Sequence, residues 1–200
     1  MADRVWDPLN KVLYDYCRKE PGQREKSVVL TKTMLIGRVY AVALERNKKE
    51  RVNDNEDFYR LQVYQAFRRM DLERRMDRVR RTGRLSDANI EGVLELHGYL
   101  VRNLYELTGQ NNRSFTSKYL HFHLPDQVPI LDNRALMALR YYKVSIPTGW
   151  VSRAKQSGID ETYAKFTYRI LRIQEEIALR HHFRLSLRKI DKLLLYTKLG

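Results

Sequence analysis

Apolar positions recur along this chain at helical spacing. Leu9, Val12, Leu13 and Tyr16 fall on one side of a helix opened by Asp7-Pro8, an aspartate cap with proline in the first turn. Glu20-Pro21-Gly22 stops it. Val28, Leu30, Met34, Leu35, Val39 and Val42 predict a second helix from Ser27 to about Lys48, with Gly37 inside it permitting close helix packing. Asn53 to Glu56 caps a third from about Asp57. That helix carries Leu61, Val63, Tyr64, Phe67, Met70 and Leu72, then a charged run from Arg74 to Arg81, and ends at Thr82-Gly83. Ser86-Asp87 opens a fourth, with Ile90, Val93, Leu94, Leu96, Tyr99, Leu100, Val101 and Leu104 as its core face, closed by the turn Thr108-Gly109. A short helix over Ser114 to His123 follows.

Pro125 to Ile130 is then a loop, punctuated by proline near both ends. Asp132 or Asn133 caps a helix to about Tyr142, and Trp150 to Gln156 forms another short one. Gly158 breaks the chain. Asp160 opens a long helix to about His181, with Tyr163, Phe166, Ile170, Leu171, Ile173 and Ile177 inward, and Ser186 caps a last one over Leu187 to Leu199. No stretch alternates as a strand does, and no repeat or low-complexity linker interrupts the pattern. The expectation is a single all-α, multi-helix domain over residues 1–200.

Charge narrows the partner. The net charge is +14 and the pI about 9.9, a balance that favours a polyanion and above all nucleic acid. The run Arg74–Arg81 reads either as a solvated helix face or as a phosphate-contacting arm. One cysteine, Cys17, excludes an internal disulfide, a cysteine zinc site or an iron–sulfur cluster, and fits a buried small residue in a reducing compartment. Met-Ala-Asp-Arg is not a signal peptide, and no apolar run reaches membrane-spanning length. A cytoplasmic monomer is expected.

The densest chemistry lies between Gly109 and Gly158, where seven basic residues stand against two acidic ones, Asp126 and Asp132. Asn111, Asn112, Arg113, Ser114, Thr116 and Ser117 place small polar and basic groups at a helix start, which suits either a phosphate or an ordinary helix cap. Phe115, Tyr119, Phe122 and Trp150 could stack on a flipped base, or simply pack in a core. His121 and His123 are two apart, so they do not share a helix face, and further metal ligands are lacking around them. One of the two lines a site or both pack. His181-His182 beside Arg180 and Arg184 reads as basic surface.

The string Ser114-Phe-Thr-Ser-Lys118-Tyr-Leu-His-Phe-His123, followed by Val128-Pro-Ile-Leu-Asp132 entering a helix, resembles the helix-hairpin-helix DNA glycosylases. Within that superfamily it is most similar to compact bacterial proteins of the 8-oxoguanine DNA glycosylase fold. The closing Arg188-Lys-Ile-Asp191-Lys-Leu-Leu is similar to their final helix. Asn112-Arg113-Ser114 stands where the family carries a Gly-Val-Gly hairpin, and the Lys118–Asp132 interval is shorter than in well-known members. The resemblance implies an all-α domain of that type that removes a damaged or modified base from double-stranded DNA, with an accompanying lyase step, in repair or in defence against modified phage DNA.

By position it implies Lys118 as nucleophile on C1′, forming a Schiff base, and Asp132 as stabiliser of the developing sugar cation. Asn112, Arg113, Ser114, Ser117 and Arg134 are then the DNA contacts, and Phe115, Tyr119, His121, His123 and Trp150 the base pocket. Neither metal nor cofactor is implied. The alternatives are a non-catalytic helical DNA-binding or regulatory protein, and more distantly a helical ribonuclease or toxin.

Overall fold

The computed structural model describes residues 6–47 and 54–196, and every regular element among them is helical. In chain order the α-helices are α1 (Trp6–Lys19), α2 (Lys26–Val39), α3 (Asn55–Asp57), α4 (Tyr64–Arg69), α5 (Leu72–Arg81), α6 (Ile90–Thr108), α7 (Arg113–His123), α8 (Asn133–Ala138), α9 (Thr148–Gln156), α10 (Glu161–His181) and α11 (Leu187–Tyr196). They pack as an all-α, compact multi-helix domain.

Its organising element is α7. All nine residues from Phe115 to His123 are buried, on every side of the helix. A helix buried all round needs neighbours all round, and α1, α2 and α6 each pack on it. Phe67, Phe115, Tyr119, Leu100 and Leu104 belong to the continuous core that results. The last helix, α11, lies across α8 and against α10.

Several predicted ends fall where the local chemistry puts them. Asp132 caps α8 by accepting from the Ala135 amide at 2.8 Å, and Asp160 caps α10 by accepting from Tyr163 at 2.9 Å. Such caps are each worth about 1 kcal/mol. Gly109 closes α6 in the left-handed conformation (φ 67°). The Ser186 hydroxyl accepts from the Lys189 amide at 3.3 Å.

Other boundaries differ. The second helix ends at Val39, not near Lys48, which lies outside the described residues. Ala41 there has φ 53°, and the chain folds back so tightly that a Cβ on Gly37 would stand 3.0 Å from the Ala43 Cα. The close approach at Gly37 is that of its own returning chain at Ala43, not of a packed helix. The third helix is two pieces, Asn55–Arg69 and α5. Phe58–Val63 is wound as a π-helix, Met70 is extended, and α5 restarts after it. Asp54 supplies its opening cap to Glu56, whereas Asn53 lies outside the described residues. The fourth helix starts at Ile90, because the Asn89 side chain accepts from the Ser86 amide and holds a turn before it. The helix capped by Asp132, α8, ends at Ala138 and runs on as a 3-10 turn, Leu139–Tyr141. The short helix expected from Trp150, α9, starts two residues earlier, at Thr148. Leu9 and Val12 are exposed, and α1 buries Asn10, Leu13 and Cys17 instead. The expected end of the final helix at Leu199, like the opening Met-Ala-Asp-Arg, is outside the described residues.

Candidate active site

The loop between α7 and α8 is pinned at its carbonyls. Nδ1 of His121 donates to the Val128 carbonyl at 2.6 Å. The Tyr163 hydroxyl donates to the Pro129 carbonyl at 2.9 Å. Three α7 side chains converge on the Leu131 carbonyl: Ser114 Oγ at 3.1 Å, Ser117 Oγ at 3.3 Å and Lys118 Nζ at 3.1 Å. The Leu131 amide returns a bond to Ser117 Oγ at 3.0 Å. Leu131 directly precedes Asp132, so this knot of bonds sets the position of Lys118 against Asp132. The shorter chain between them does not have to.

Lys118 is 2% exposed and makes no ion pair among the described residues. Its amine donates to Ser114 Oγ at 2.7 Å and to the Leu131 carbonyl, both neutral acceptors, and lies 5.4 Å from the centroid of the Tyr40 ring. Burial lowers its pKa from the ordinary lysine value; the charges of Asp132 and Asp191 pull it partly back, and Arg188 lowers it further. A neutral amine has two protons and one lone pair. In that form the two acceptors match the two protons, and the lone pair is the fourth tetrahedral position.

Beside this lysine opens a cleft of about 320 Å³. Tyr40, Ala41, Ile130, Asp132 and Arg134 line one part of it, and Asp7, Asn10, Arg188, Asp191, Lys192 and Leu195 another. The volume is at the lower end of small-ligand sites. Two buried polar atoms of the lining residues have no partner, the donor Asn10 Nδ2 and the acceptor Asp191 Oδ1. Buried polar groups are satisfied in the great majority of cases, so an unpartnered donor and acceptor on one cleft suit a polar occupant. Asp191 is 5% exposed, and its Oδ2 accepts from Arg188 at 2.5 Å. Burial pushes its pKa up to about 6, against the opposing charge of Arg188.

A second concavity, of about 300 Å³, lies at the N-terminus of α7. Arg46, Asn111, Asn112, Arg113 and Ser114 line it, together with Ala41, which borders the cleft as well. No side chain caps this end of α7, so amide N–H groups remain there for an anion. Arg113 is partly committed, because its Nε donates to Asp160 at 2.6 Å.

The structure therefore places Asp132 and Arg134 on one cleft, with Lys118 buried behind its wall on the Leu131 carbonyl; the Arg134 guanidinium also donates to the Leu195 carbonyl at 3.3 Å. It groups Asn112, Arg113 and Ser114 at the adjoining concavity. Ser117 is a correction: it is fully buried in the Leu131 knot and cannot meet DNA. The predicted base pocket is a correction too. Phe115, Tyr119, His121 and His123 are core residues, and none lines the cleft beside Lys118. Each successive residue turns about 100° around a helix, so neighbours of Lys118 point elsewhere. The Tyr119 hydroxyl donates to Gln23, whose amide nitrogen meets His123 at 3.3 Å. Nε2 of His121 accepts from the Tyr14 hydroxyl at 2.5 Å, and burial pushes this histidine down to about 4, leaving it neutral. Trp150 packs on Tyr168, ring centroids 5.0 Å apart.

Tyr40, Asn10, Arg188 and Asp191 were not assigned to the site from sequence. The only signal was the resemblance of Arg188–Leu194 to a final helix, which gave no role to any one side chain. Among the described residues no group of acidic, histidine or cysteine side chains is placed to hold a metal, and no helix is long and apolar enough to cross a membrane. No protein-family model, curated protein or solved structure matches the chain.

Proposed function

We propose that this protein is a DNA glycosylase with lyase activity, of the helix-hairpin-helix type, that excises a damaged or modified base from double-stranded DNA through a lysine Schiff base. The observation that carries this reading is Lys118: a buried amine with neutral hydrogen-bond partners, depressed in pKa, behind the wall of a cleft lined by Asp132. A lysine becomes a nucleophile when desolvation keeps it uncharged. In this reading Lys118 attacks C1′ of the flipped nucleotide, and the Asp132 carboxylate stabilises the positive charge that develops on the sugar. The unpartnered Asn10 amide and Asp191 carboxyl oxygen support a polar occupant such as a nucleobase. The N-terminus of α7, which has no side-chain cap, with Arg46 and Arg113 supports a backbone phosphate beside it. The net charge of +14 supports a polyanionic partner. Repair and defence against modified invading DNA both use this chemistry, in a protein that acts as a cytoplasmic monomer.

The test is borohydride trapping on a panel of duplexes carrying modified bases or an abasic site. A covalent protein–DNA adduct that disappears in Lys118→Gln, while duplex binding persists, is the expected result. An adduct undiminished in Lys118→Gln sinks the assignment. Salt-sensitive binding with no base release, nicking or adduct across the whole panel identifies a non-catalytic DNA-binding protein instead.

A further inference from the structure

Asp191 has no part in the chemistry just described, yet its surroundings are those of a working group. It stands on the wall of the cleft, on the last helix. One of its oxygens is fixed by Arg188, and the other is buried without a partner. A carboxyl so placed loses hydration without full compensation, a cost of about 1–3 kcal/mol for an unmet acceptor. That cost is relieved when the cleft is filled by something that donates or accepts a proton there.

We propose that Asp191 is the acid–base residue that serves Lys118, passing protons between the lysine amine and the group that leaves C1′. This rests on the reading of Lys118 as the nucleophile. On an abasic site the reacting sugar is an open-chain aldehyde. The Lys118 lone pair forms the N–C1′ bond as the carbonyl π pair moves onto oxygen. The neutral Asp191 carboxyl gives its proton to that oxygen and takes one from the attacking nitrogen, giving a neutral carbinolamine and restoring the acid. The acid then protonates the hydroxyl. Water leaves with the C–O pair, the nitrogen lone pair closes the C=N bond, and an iminium ion and the Asp191 carboxylate remain. Arg188 stabilises that carboxylate through the bond it already makes to Oδ2. With a base still attached, the same proton goes to the departing base.

The groups that act on Asp191 suit this role. Arg188 on its own helix and Lys118 from α7 favour the carboxylate, and Asp132, ahead of α8, opposes it. Tyr14 and Tyr40 are both held in the un-ionised form by burial, Tyr40 being pushed up to about 12. Lys192, the next cation on α11, is engaged by Asp7 at 2.8 Å. The opposing influences leave Asp191 raised to about 6, so both its forms are accessible near neutrality.

The experiment is the rate of borohydride-trapped adduct on a duplex with one abasic site, from pH 5 to 9, for wild type, Asp191→Asn and Asp191→Ala. Wild type should bend near pH 6. Asp191→Asn should trap about a hundredfold more slowly, in line with the usual worth of a general acid, and lack the bend. Added formate should restore part of the rate in Asp191→Ala and none in wild type. A straight wild-type profile through pH 6 overturns the proposal without reference to any variant. So does trapping in Asp191→Asn within about threefold of wild type, well short of the tenfold or more a general acid supplies. Wild type that forms no adduct on the abasic duplex overturns the lysine reading itself, which separates the two failures.

Discussion

A second lysine is buried far more thoroughly than its chemistry warrants. Lys32 on α2 is fully inaccessible, and its amine donates to one acceptor, the Gly22 carbonyl at 2.8 Å. Burial pushes it down to about 8, partly opposed by Cys17, Glu20 and Glu73. The unfolded chain holds the same amine near 10.5. The folded pKa is the lower one, so between about pH 8 and 10.5 the unfolded state binds more protons and stability rises with pH. Below pH 8 the fold carries the charge and the penalty is at its largest. At 1.36 kcal/mol per unit, raising the pH from 7 to 10 removes about 2.5 kcal/mol of it. Lys32→Met keeps the aliphatic bulk and removes the titration, at a cost of about 1 kcal/mol for the lost bond to Gly22. The variant should therefore be more stable than wild type by about 2 kcal/mol at pH 7, and the advantage should vanish by pH 10. Urea melts of both proteins at each pH read this directly. Lys118 is depressed in the same direction, but it is common to both proteins and cancels in the difference. A stability difference that stays flat between pH 7 and 10 would refute the reasoning, because Lys32 would then titrate alike in the folded and unfolded chains.

Three further outcomes are expected. Gly37→Ala should destabilise the fold by about 1–3 kcal/mol in urea melts, because the new Cβ meets the Ala43 backbone and not a movable side chain. Ala41→Gly should stabilise it by about 0.5–1 kcal/mol, as relief of the left-handed conformation exceeds the entropy glycine adds to the unfolded chain. Asp132→Asn separates cap from chemistry. Asparagine caps as well as aspartate, so stability should change by less than about 0.5 kcal/mol. Borohydride trapping should nevertheless fall about a hundredfold, measured on the abasic duplex, with loss of the charge.

The elements were legible where one local rule dominated. The caps at Asp132 and Asp160 and the left-handed glycine Gly109 follow from side chains within three residues of the boundary, and all three sit as read. The breaks at Val39 and Met70 carry no proline and no glycine at the break itself. They follow from where the neighbouring chain must pass, which a helical period does not encode. The site divided the same way. Lys118 lies behind the cleft wall that carries Asp132 because both belong to the stretch tied at Leu131, close in sequence. Tyr40, Asn10 and Asp191 arrive from helices far along the chain, and only packing of α11 on α8 brings the last of them in. The aromatic residues around Lys118 looked like a stacking platform because their types suit one. On a helix buried all round, the same types are what a core needs.

The place of α11 has a consequence in time. Arg188, Asp191, Lys192 and Leu195 make one wall of the cleft, whereas Lys118 and Asp132 are laid down many residues earlier. During synthesis the lysine and its carboxylate emerge with that side open to water. The low-dielectric setting that favours an uncharged amine is complete only when the last described helix docks. Until α11 has been made and has docked, the Lys118 amine thus keeps more of its ordinary affinity for a proton.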